Sequence, residues 1–233
     1  FERTVLYIYQ YNGVTINFAE SIETISQNLQ EIKPKLMTVV PRVLEKVYDK
    51  IHAKGSELTG IKKSLFFWAL SLGEKYDIPA PKGSWYNWQL KWARKLIFSK
   101  WHDALGGNLD YLVSGSAPLS PRLAKIFAAA DLPVLEGYGL TETSPVISVN
   151  DRRNDGWRIG SVGKVLSNVK IKIAEDGEIL AQGPSISQGY YKEDDKTNEA
   201  FIDGWFHTGD IGKINDEGFL FITDRKKEMF KTS

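Results

Sequence analysis

The chain has 233 residues, 42% of them hydrophobic, which is enough to bury the core of one large domain or two small ones. Its 30 basic and 29 acidic residues nearly balance, which removes the electrostatic basis for binding nucleic acid. The absence of cysteine excludes disulfides, thiolate metal sites and a cysteine nucleophile. The histidines, at positions 52, 102 and 207, lack the spacing of metal ligands, and no run is apolar for the length that a bilayer requires.

Helices and strands alternate along the first 150 residues. Apolar residues at helical spacing from Ile22 to Ile32 predict a helix that Pro34 ends, and "KLMTVV" predicts a short buried strand. Pro41 suits the first turn of the next helix, and Gly55 can close it. Its predicted inner stripe consists of Leu44, Val47 and Ile51. A further helix is predicted through "KKSLFFWALSLGEKY".

The segment from Ser84 to Trp101 is rich in tryptophan. Trp85, Trp88, Trp92 and Leu96 follow helical spacing, and the same segment carries the basic residues Lys91, Arg94, Lys95 and Lys100. Such a helix can lie on a membrane surface or can pack its aromatic face onto the protein core. The sequence leaves both interpretations open.

Two polar loops are predicted at the carboxyl ends of strands. "LDYLV" leads into "SGSAPLS", which precedes a helix over 121–130, and "LPVLEGYG" leads into a second loop. In open α/β sheets, ligands bind at this edge. After about Asn150 the predicted strands become short and alternate with turns such as "EDGE" and "NDEG", which indicates a small β-rich part that resembles a barrel.

The loop "EGYGLTETSP", residues 136–145, combines several groups suited to a nucleotide. Gly137 and Gly139 allow close approach to the backbone, and Tyr138 offers a flat face for stacking. The hydroxyl of Thr141 can meet phosphate oxygens, and the carboxylate of Glu142 can bind Mg²⁺. A polar turn after a strand is the simpler interpretation of this loop alone.

Four motifs in a fixed order resemble the adenylate-forming enzymes, which include acyl-CoA synthetases, luciferases and peptide-synthetase adenylation domains. These motifs are "SGSAPLS", "EGYGLTETSP", "GWFHTGD" and "DRKKEMFKTS". "FERT", "VPRVLEKVYDKI" and "FSKWHDALGG" are most similar to the long-chain fatty acyl-CoA synthetases. The resemblance covers essentially the whole chain.

The resemblance implies a role for each matched residue. Glu142 would hold Mg²⁺ against the phosphates, Thr141 would donate to the α-phosphate, and Tyr138 would stack on adenine. Asp210 would accept both ribose hydroxyls, because each carboxylate oxygen can take one O–H, and Arg225 would bind ribose or phosphate. The remaining residues expected near the nucleotide are Gly115, Ser116, Ala117, Glu136, Gly137 and Gly139.

The resemblance also implies a fold and a reaction. We expect an incomplete α/β sheet subdomain over 1–150, a β-barrel-like subdomain over 151–223, and a hinge segment over 224–233 in which Asp224 is the hinge residue. The reaction would join a long-chain fatty acid to CoA through an acyl-adenylate, using ATP and Mg²⁺. His207 would be structural rather than a base, and the lysines of "DRKKE" would be solvated.

The phosphate-binding loop and the carboxyl-terminal lysine of the family are not found in the sequence, so we expect the chain to be a segment of the enzyme that is inactive alone. A ligase for another carboxylic acid and a non-catalytic nucleotide-binding module are the alternatives. The expected partners are small molecules and not nucleic acid, and the expected location is cytoplasmic, with peripheral membrane contact left open.

Overall fold

The computed structural model describes residues 2–79, 83–153 and 155–226. The chain divides into two compact units, residues 2–135 and the residues from 136 onward.

Helices form most of the first unit. Their bounds are α1 Glu2–Tyr11, α2 Ile25–Ile32, α3 Pro41–Ser56, α4 Gly60–Glu74, α5 Ser84–Ala93, α6 Ser99–Ala104 and α7 Pro121–Ala129. A π-helical turn, Arg94–Phe98, joins α5 to α6. Strands β1 (Leu36–Val39) and β2 (Tyr111–Ser114) pair in parallel, so their carboxyl ends meet at one edge. The alternation of helices and strands predicted from the apolar periodicity is confirmed for this unit.

Gly55 does not end its helix as predicted. It lies inside α3, and a Cβ atom at this position would come within 2.1 Å of the Phe66 ring on α4. The glycine therefore allows α3 and α4 to approach closely, and the helix ends one residue later without a glycine cap.

The carboxyl end of α7 is buried and is stabilised by two basic side chains. Arg94 Nε donates to the carbonyl of Ala129 at 2.8 Å, and His102 Nε2 lies 2.9 Å from the carbonyl of Ala130. The last carbonyls of a helix lack intrahelical donors, so these contacts satisfy groups whose burial would otherwise be costly.

The tryptophan face of α5 points to solvent. Trp85, Trp88 and Trp92 are 67%, 52% and 40% exposed, whereas Leu90 and Ala93 on the other side of the helix are buried. Trp85 stacks on Trp88 with ring centroids 5.0 Å apart. Of the two interpretations left open by the sequence, the structure therefore does not show the tryptophans packed onto the core.

Strands dominate the second unit, and β3 (Val134–Gly139) runs across the division between the units. The other elements are β4 Val146–Val149, β5 Lys164–Val165, β6 Lys170–Ile173, β7 Glu178–Gln182, α8 Asp194–Ala200, β8 Phe201–Ile202, β9 Trp205–Ile214 and β10 Leu220–Arg225. β4 pairs with β3 and with β5, and a second sheet has the order β10-β9-β7-β6, with β8 on β9. Ile147, Val169 and Ala181 form a core in this unit.

The mixed α/β class is confirmed, but the barrel-like part of the prediction is corrected. Within the described ranges the second sheet ends at β6 and β10 and remains open. The short antiparallel strands predicted after Asn150 are present, interrupted by the seven residues of α8. The boundaries at 150/151 and 223/224 remain predictions.

Candidate nucleotide-binding site

Gly139 allows the chain to turn back sharply after β3. A Cβ atom here would lie 1.7 Å from the carbonyl oxygen of Pro145, whereas at Gly137 the nearest atom, the Ser148 carbonyl oxygen, would be 3.4 Å away. The pairing of β3 with β4 shifts register between Tyr138 and Gly139. The glycine at 139 is thus required by the fold of the loop itself.

Thr143 fixes the 3₁₀ turn Thr141–Thr143, which follows β3. Its buried hydroxyl accepts from the Leu140 N–H at 2.9 Å and is also in contact with the carbonyls of Leu140 and Pro145. Thr141 is exposed at the start of the turn. The turn therefore presents the Thr141 hydroxyl to solvent on a backbone that Thr143 holds in place.

The Glu142 carboxylate is held by a tyrosine from a distant part of the chain. The Tyr190 hydroxyl donates to Glu142 Oε1 at 2.8 Å, and the Ser187 N–H donates to the Glu142 backbone carbonyl at 2.7 Å. Burial and the adjacent carboxylate raise the pKa of Tyr190 to about 12. The phenol therefore stays protonated at neutral pH and acts as a neutral donor.

Tyr138, Asp210 and Arg225 form a cluster around one buried carboxylate. The Tyr138 hydroxyl donates to Asp210 Oδ2 at 2.8 Å, and Arg225 Nε donates to Asp210 Oδ1 at 2.9 Å. The Asp210 side chain is 8% exposed, and Arg225 lies opposite it in the register of β9 and β10. Burial, with the negative charge of Asp210, raises the pKa of Tyr138 well above its ordinary value. Each carboxylate oxygen accepts one bond here and has a second lone pair for another donor.

The backbone before Asp210 is fixed by Thr208. Its hydroxyl donates to the Ile179 carbonyl at 2.7 Å and accepts from the Asp210 N–H at 3.1 Å. Gly209, between them, has φ +72°, a conformation that favours glycine. The "HTGD" motif thus aims the Asp210 carboxylate by backbone geometry.

A second buried carboxylate, Glu178 on β7, was not singled out from the sequence. Its oxygens accept from the Gly209 N–H at 2.9 Å and from Lys226 Nζ at 2.8 Å, and they lie 3.1 Å from His207 Nδ1. Burial favours the neutral acid, but these donors outweigh it and lower the pKa of Glu178. Glu178 is followed by three buried apolar residues in β7, and the placement of a glutamate before this apolar run was the signal that the sequence offered.

This network corrects one expectation and agrees with another. Lys226 is not merely solvated, because it bridges Asp176 Oδ2 at 2.7 Å and Glu178, and these partners raise the pKa of its ammonium group. Lys227 lies outside the described residues. The contact of His207 with Glu178 is compatible with the structural role predicted for His207.

The "SGSAPLS" loop belongs to the first unit. Gly115 is buried at the end of β2, whereas Ser116 and Ala117 are exposed, and Ser116 has φ +71°. Ser120 precedes α7 but makes no side-chain capping bond. The side chain of Ser120 therefore does not cap the helix.

Two further predicted residues differ in exposure. Glu136 is buried, and its backbone carbonyl accepts from the backbone N–H of Asn150 at 2.9 Å. Asp224 is exposed next to a register shift in β10, and its Oδ1 accepts from the Arg225 N–H at 2.7 Å. Of the predicted hinge segment, residues 227–233 lie outside the described part.

The donor set of the site suits a magnesium ion shared with a substrate. Across the described ranges, no group of three or more histidine or acidic side chains could form a metal cage. Mg²⁺ is commonly bound by one or two carboxylates together with substrate phosphates. Glu142, which is partly exposed on the 3₁₀ turn, fits that mode of binding.

The family assignment follows from a match over most of the chain. Residues 1–191 match the model of the AMP-binding enzyme family, and the chain belongs to this family. A long-chain-fatty-acid–CoA ligase, FadD15 of Mycobacterium bovis, is 38% identical over 226 residues, which cover 96% of this chain and 37% of that protein. Long chain acyl-CoA synthetase 3 of Arabidopsis thaliana is 34% identical over 248 residues, covering 100% of this chain and 37% of the relative. The chain thus spans less than two fifths of the length of these relatives.

Solved structures with a similar fold include a CoA synthetase. o-Succinylbenzoate CoA synthetase (MenE) of Bacillus subtilis, in complex with ATP and a magnesium ion, aligns with a TM-score of 0.59 at 20% identity, covering 96% of this chain and 38% of that one. The N-terminal domain of FACL13 from Mycobacterium tuberculosis aligns with a TM-score of 0.55 at 21% identity. The alignment covers 91% of this chain and 43% of that one. At this identity the similarity establishes the fold.

Proposed function

We propose that this chain contributes the adenosine-binding part of an ATP-dependent long-chain fatty acid–CoA ligase. The observation that carries the proposal is the buried Asp210 carboxylate, whose oxygens are oriented by Tyr138 and Arg225. A carboxylate fixed in this way can accept a bond from each hydroxyl of a ribose diol. The relatives named as long-chain fatty acid–CoA ligases support the choice of acid.

Magnesium and the phosphates would be bound around the 3₁₀ turn. Glu142 would hold Mg²⁺, which neutralises charge on the phosphates, and Thr141 would donate to the α-phosphate. Tyr138 would lie against adenine, with its hydroxyl still bonded to Asp210. Glu136, Gly137 and Gly139 are the remaining residues of the proposed nucleotide site in the second unit. Gly115, Ser116 and Ala117, in the first unit, remain predictions. CoA would be the second substrate of the complete enzyme.

The ribose contact can be tested with AMP, which shares its ribose with ATP. We expect Asp210→Ala to weaken AMP binding by about 1.5–3 kcal/mol, roughly 10- to 150-fold, because bonds to an ionised acceptor are lost. Isothermal titration calorimetry measures the affinity. Asp216→Ala, at an exposed turn, is the matched control and should bind AMP like the unchanged chain.

A folding defect must be separated from a binding defect. Arg225 is 62% exposed at its side chain, so Arg225→Ala offers a milder change to the same carboxylate and should also weaken AMP binding. Equal AMP affinity in the original chain and in folded Asp210→Ala would refute the ribose role. The acid is tested on the complete gene product by pyrophosphate release with palmitate, benzoate and alanine, and the proposal requires a clear preference for palmitate.

The exposed face of α5 supports peripheral contact with anionic membranes as a second role. Its stacked tryptophans are flanked by Lys91 and Lys95, and Lys95 lies 5.6 Å from the Trp92 ring. Tryptophan and lysine on one helix are typical of interfacial binding. None of the described helices has the length and apolarity to cross a membrane. Co-sedimentation with phosphatidylserine vesicles should exceed that with phosphatidylcholine vesicles, and equal recovery would contradict the proposal.

A further inference from the structure

The residue that follows β10 is tied to a hairpin elsewhere in the second unit. Lys226 Nζ lies 2.7 Å from Asp176 Oδ2 and 2.8 Å from Glu178 Oε2. Asp176 lies in the turn between β6 and β7, and Glu178 is the first residue of β7. Lys226 therefore joins the end of β10 to a residue 48 positions earlier in the chain.

These contacts cross the strand that carries Asp210. The order of the sheet is β10-β9-β7-β6, so β9 lies between the two strands that Lys226 joins. Neighbouring strands lie nearly 5 Å apart, so the link spans roughly 10 Å. The register pairs Asp210 with Arg225 on one side of β9, and it pairs Ile211 with Glu178 on the other. The link therefore crosses β9 at the level of the proposed ribose carboxylate.

The two oxygens of the Glu178 carboxylate connect Lys226 to the backbone before Asp210. Oε1 accepts from the Gly209 N–H at 2.9 Å, and Oε2 accepts from Lys226 Nζ at 2.8 Å. Because Glu178 is buried, its orientation depends on these donors rather than on water. The position of the Gly209 amide thus depends on Glu178, whose own orientation depends on Lys226.

The electrostatics of the link agree with its geometry. Hydrogen bonds to Asp176 and Glu178 raise the pKa of the Lys226 ammonium group above its ordinary value. The same lysine lowers the pKa of Asp176. Half-exposed Asp176 can exchange its partner for water, but buried Glu178 would be left as a poorly compensated charge. Loss of Lys226 should therefore move Glu178, and with it the Gly209 amide.

We propose that Lys226, Asp176 and Glu178 form a clasp that positions the Asp210 carboxylate, so that nucleotide binding and the attachment of the chain after β10 depend on each other. The inference rests on the proposed nucleotide function, in which Asp210 binds the ribose. Lys226 and Glu178 are positioning residues, because they act on the nucleotide through Gly209. By linkage, the factor by which the clasp strengthens nucleotide binding is also the factor by which nucleotide strengthens the clasp.

The first test measures AMP affinity by calorimetry in variants of the lysine. Lys226→Met should bind AMP roughly three- to tenfold more weakly, because a partly exposed ion pair with two carboxylates is lost. Lys226→Arg keeps the charge and should restore the affinity to within twofold. Lys213→Met, at an exposed position of β9, is the matched control and should also stay within twofold. Equal affinity in the unchanged chain and in folded Lys226→Met, or an equal loss in Lys226→Arg, would overturn the proposal.

The reciprocal test follows the reactivity of Lys226 itself. Acetylation by an N-hydroxysuccinimide ester requires the neutral amine, so the clasp should slow the reaction at Lys226, and mass spectrometry reports each lysine separately. Glu178→Gln should accelerate acetylation of Lys226 at least threefold, and saturating AMP should slow it in the unchanged chain. Lys213 should react at the same rate throughout. In Glu178→Gln, saturating AMP should no longer slow the reaction at Lys226, and this result would exclude direct shielding by the nucleotide.

The outcomes separate failure of the clasp from failure of the nucleotide function. If the unchanged chain does not bind AMP, the nucleotide function is refuted, and the coupling is refuted with it. Faster acetylation of Lys226 in Glu178→Gln than in Glu175→Gln, an exposed acid on the same hairpin, would still support the clasp. If AMP binds but does not change the acetylation rate of Lys226, the nucleotide function stands and the coupling is overturned.

Discussion

Replacement of Glu178 by glutamine should loosen the part of the second unit that carries Asp210. The carboxylate accepts from Gly209 and Lys226 and contacts His207, and its side chain is only 5% exposed. Bonds to a charged group contribute about 1.5–3 kcal/mol each. The glutamine oxygen can still accept from Gly209, and the Lys226 side chain is 38% exposed, so water can replace part of the lost attraction. We therefore expect a net loss of about 2–3 kcal/mol in the free energy of local opening.

Hydrogen exchange followed by mass spectrometry measures this opening directly. Because about 1.4 kcal/mol corresponds to a factor of ten, amides of β7 and β9 should exchange roughly 30- to 150-fold faster in Glu178→Gln. Glu175→Gln, an exposed acid on the same hairpin, is the control and should exchange like the unchanged chain. Peptides from residues 2–135 should be unaffected in both variants.

The stabilisation by the Glu178 carboxylate should depend on pH in a defined direction. The pKa of Glu178 is lowered in the folded chain, so its contribution to stability is complete above the ordinary glutamate value of about 4.3. This contribution is lost as the pH falls through the pKa that Glu178 has in the folded chain. The difference between wild type and Glu178→Gln should be full at pH 7 and should shrink below about pH 4. An undiminished difference in acid, or no difference at pH 7, would refute the role given to the charge.

Two other changes test the loop after β3. Gly139→Ala should destabilise the second unit by at least about 1–3 kcal/mol in exchange measurements, because its Cβ would collide with the Pro145 carbonyl. Gly137→Ala, with no atom nearer than 3.4 Å, is the control, and equal effects would contradict the steric reasoning. Tyr190→Phe removes the donor that orients Glu142 Oε1 without cancelling its charge, so the Mg²⁺ concentration for half-maximal ATP binding should rise several-fold. An unchanged Mg²⁺ requirement would contradict the proposal that Glu142 binds the metal.

The positions of most elements could be predicted because they depend on local chemistry. Pro41 begins α3 because the first N–H of a helix has no intrahelical acceptor, so its absence costs no hydrogen bond. The parallel pairing of β1 with β2 places the "SGSAPLS" loop at the edge where open α/β sheets bind ligands. Apolar periodicity likewise predicts α4 and α7 near their observed bounds.

Contacts between distant parts of the chain could not be predicted in the same way. Tyr190 lies 48 residues from Glu142, and Lys226 lies 48 residues from Glu178, so nothing in their spacing indicates a bond. The helical spacing of Trp85, Trp88 and Trp92 predicts that they share a face, but not that the face is exposed. Gly55 was misassigned because a glycine near a helix end is equally compatible with a cap and with close packing against Phe66.

The two carboxylates of the proposed site are prepared for different ligands by their partners. Each accepts from a tyrosine whose pKa is raised, so each phenol remains a neutral donor that orients the carboxylate without cancelling its charge. Asp210 is also paired with Arg225, which compensates its charge and leaves an acceptor suited to the neutral hydroxyls of a ribose. Among the described residues, no ion pair joins a cation to Glu142, so its negative charge is not compensated by the protein. A carboxylate of that kind suits a divalent cation, and this difference is why we assign the diol to Asp210 and the metal to Glu142.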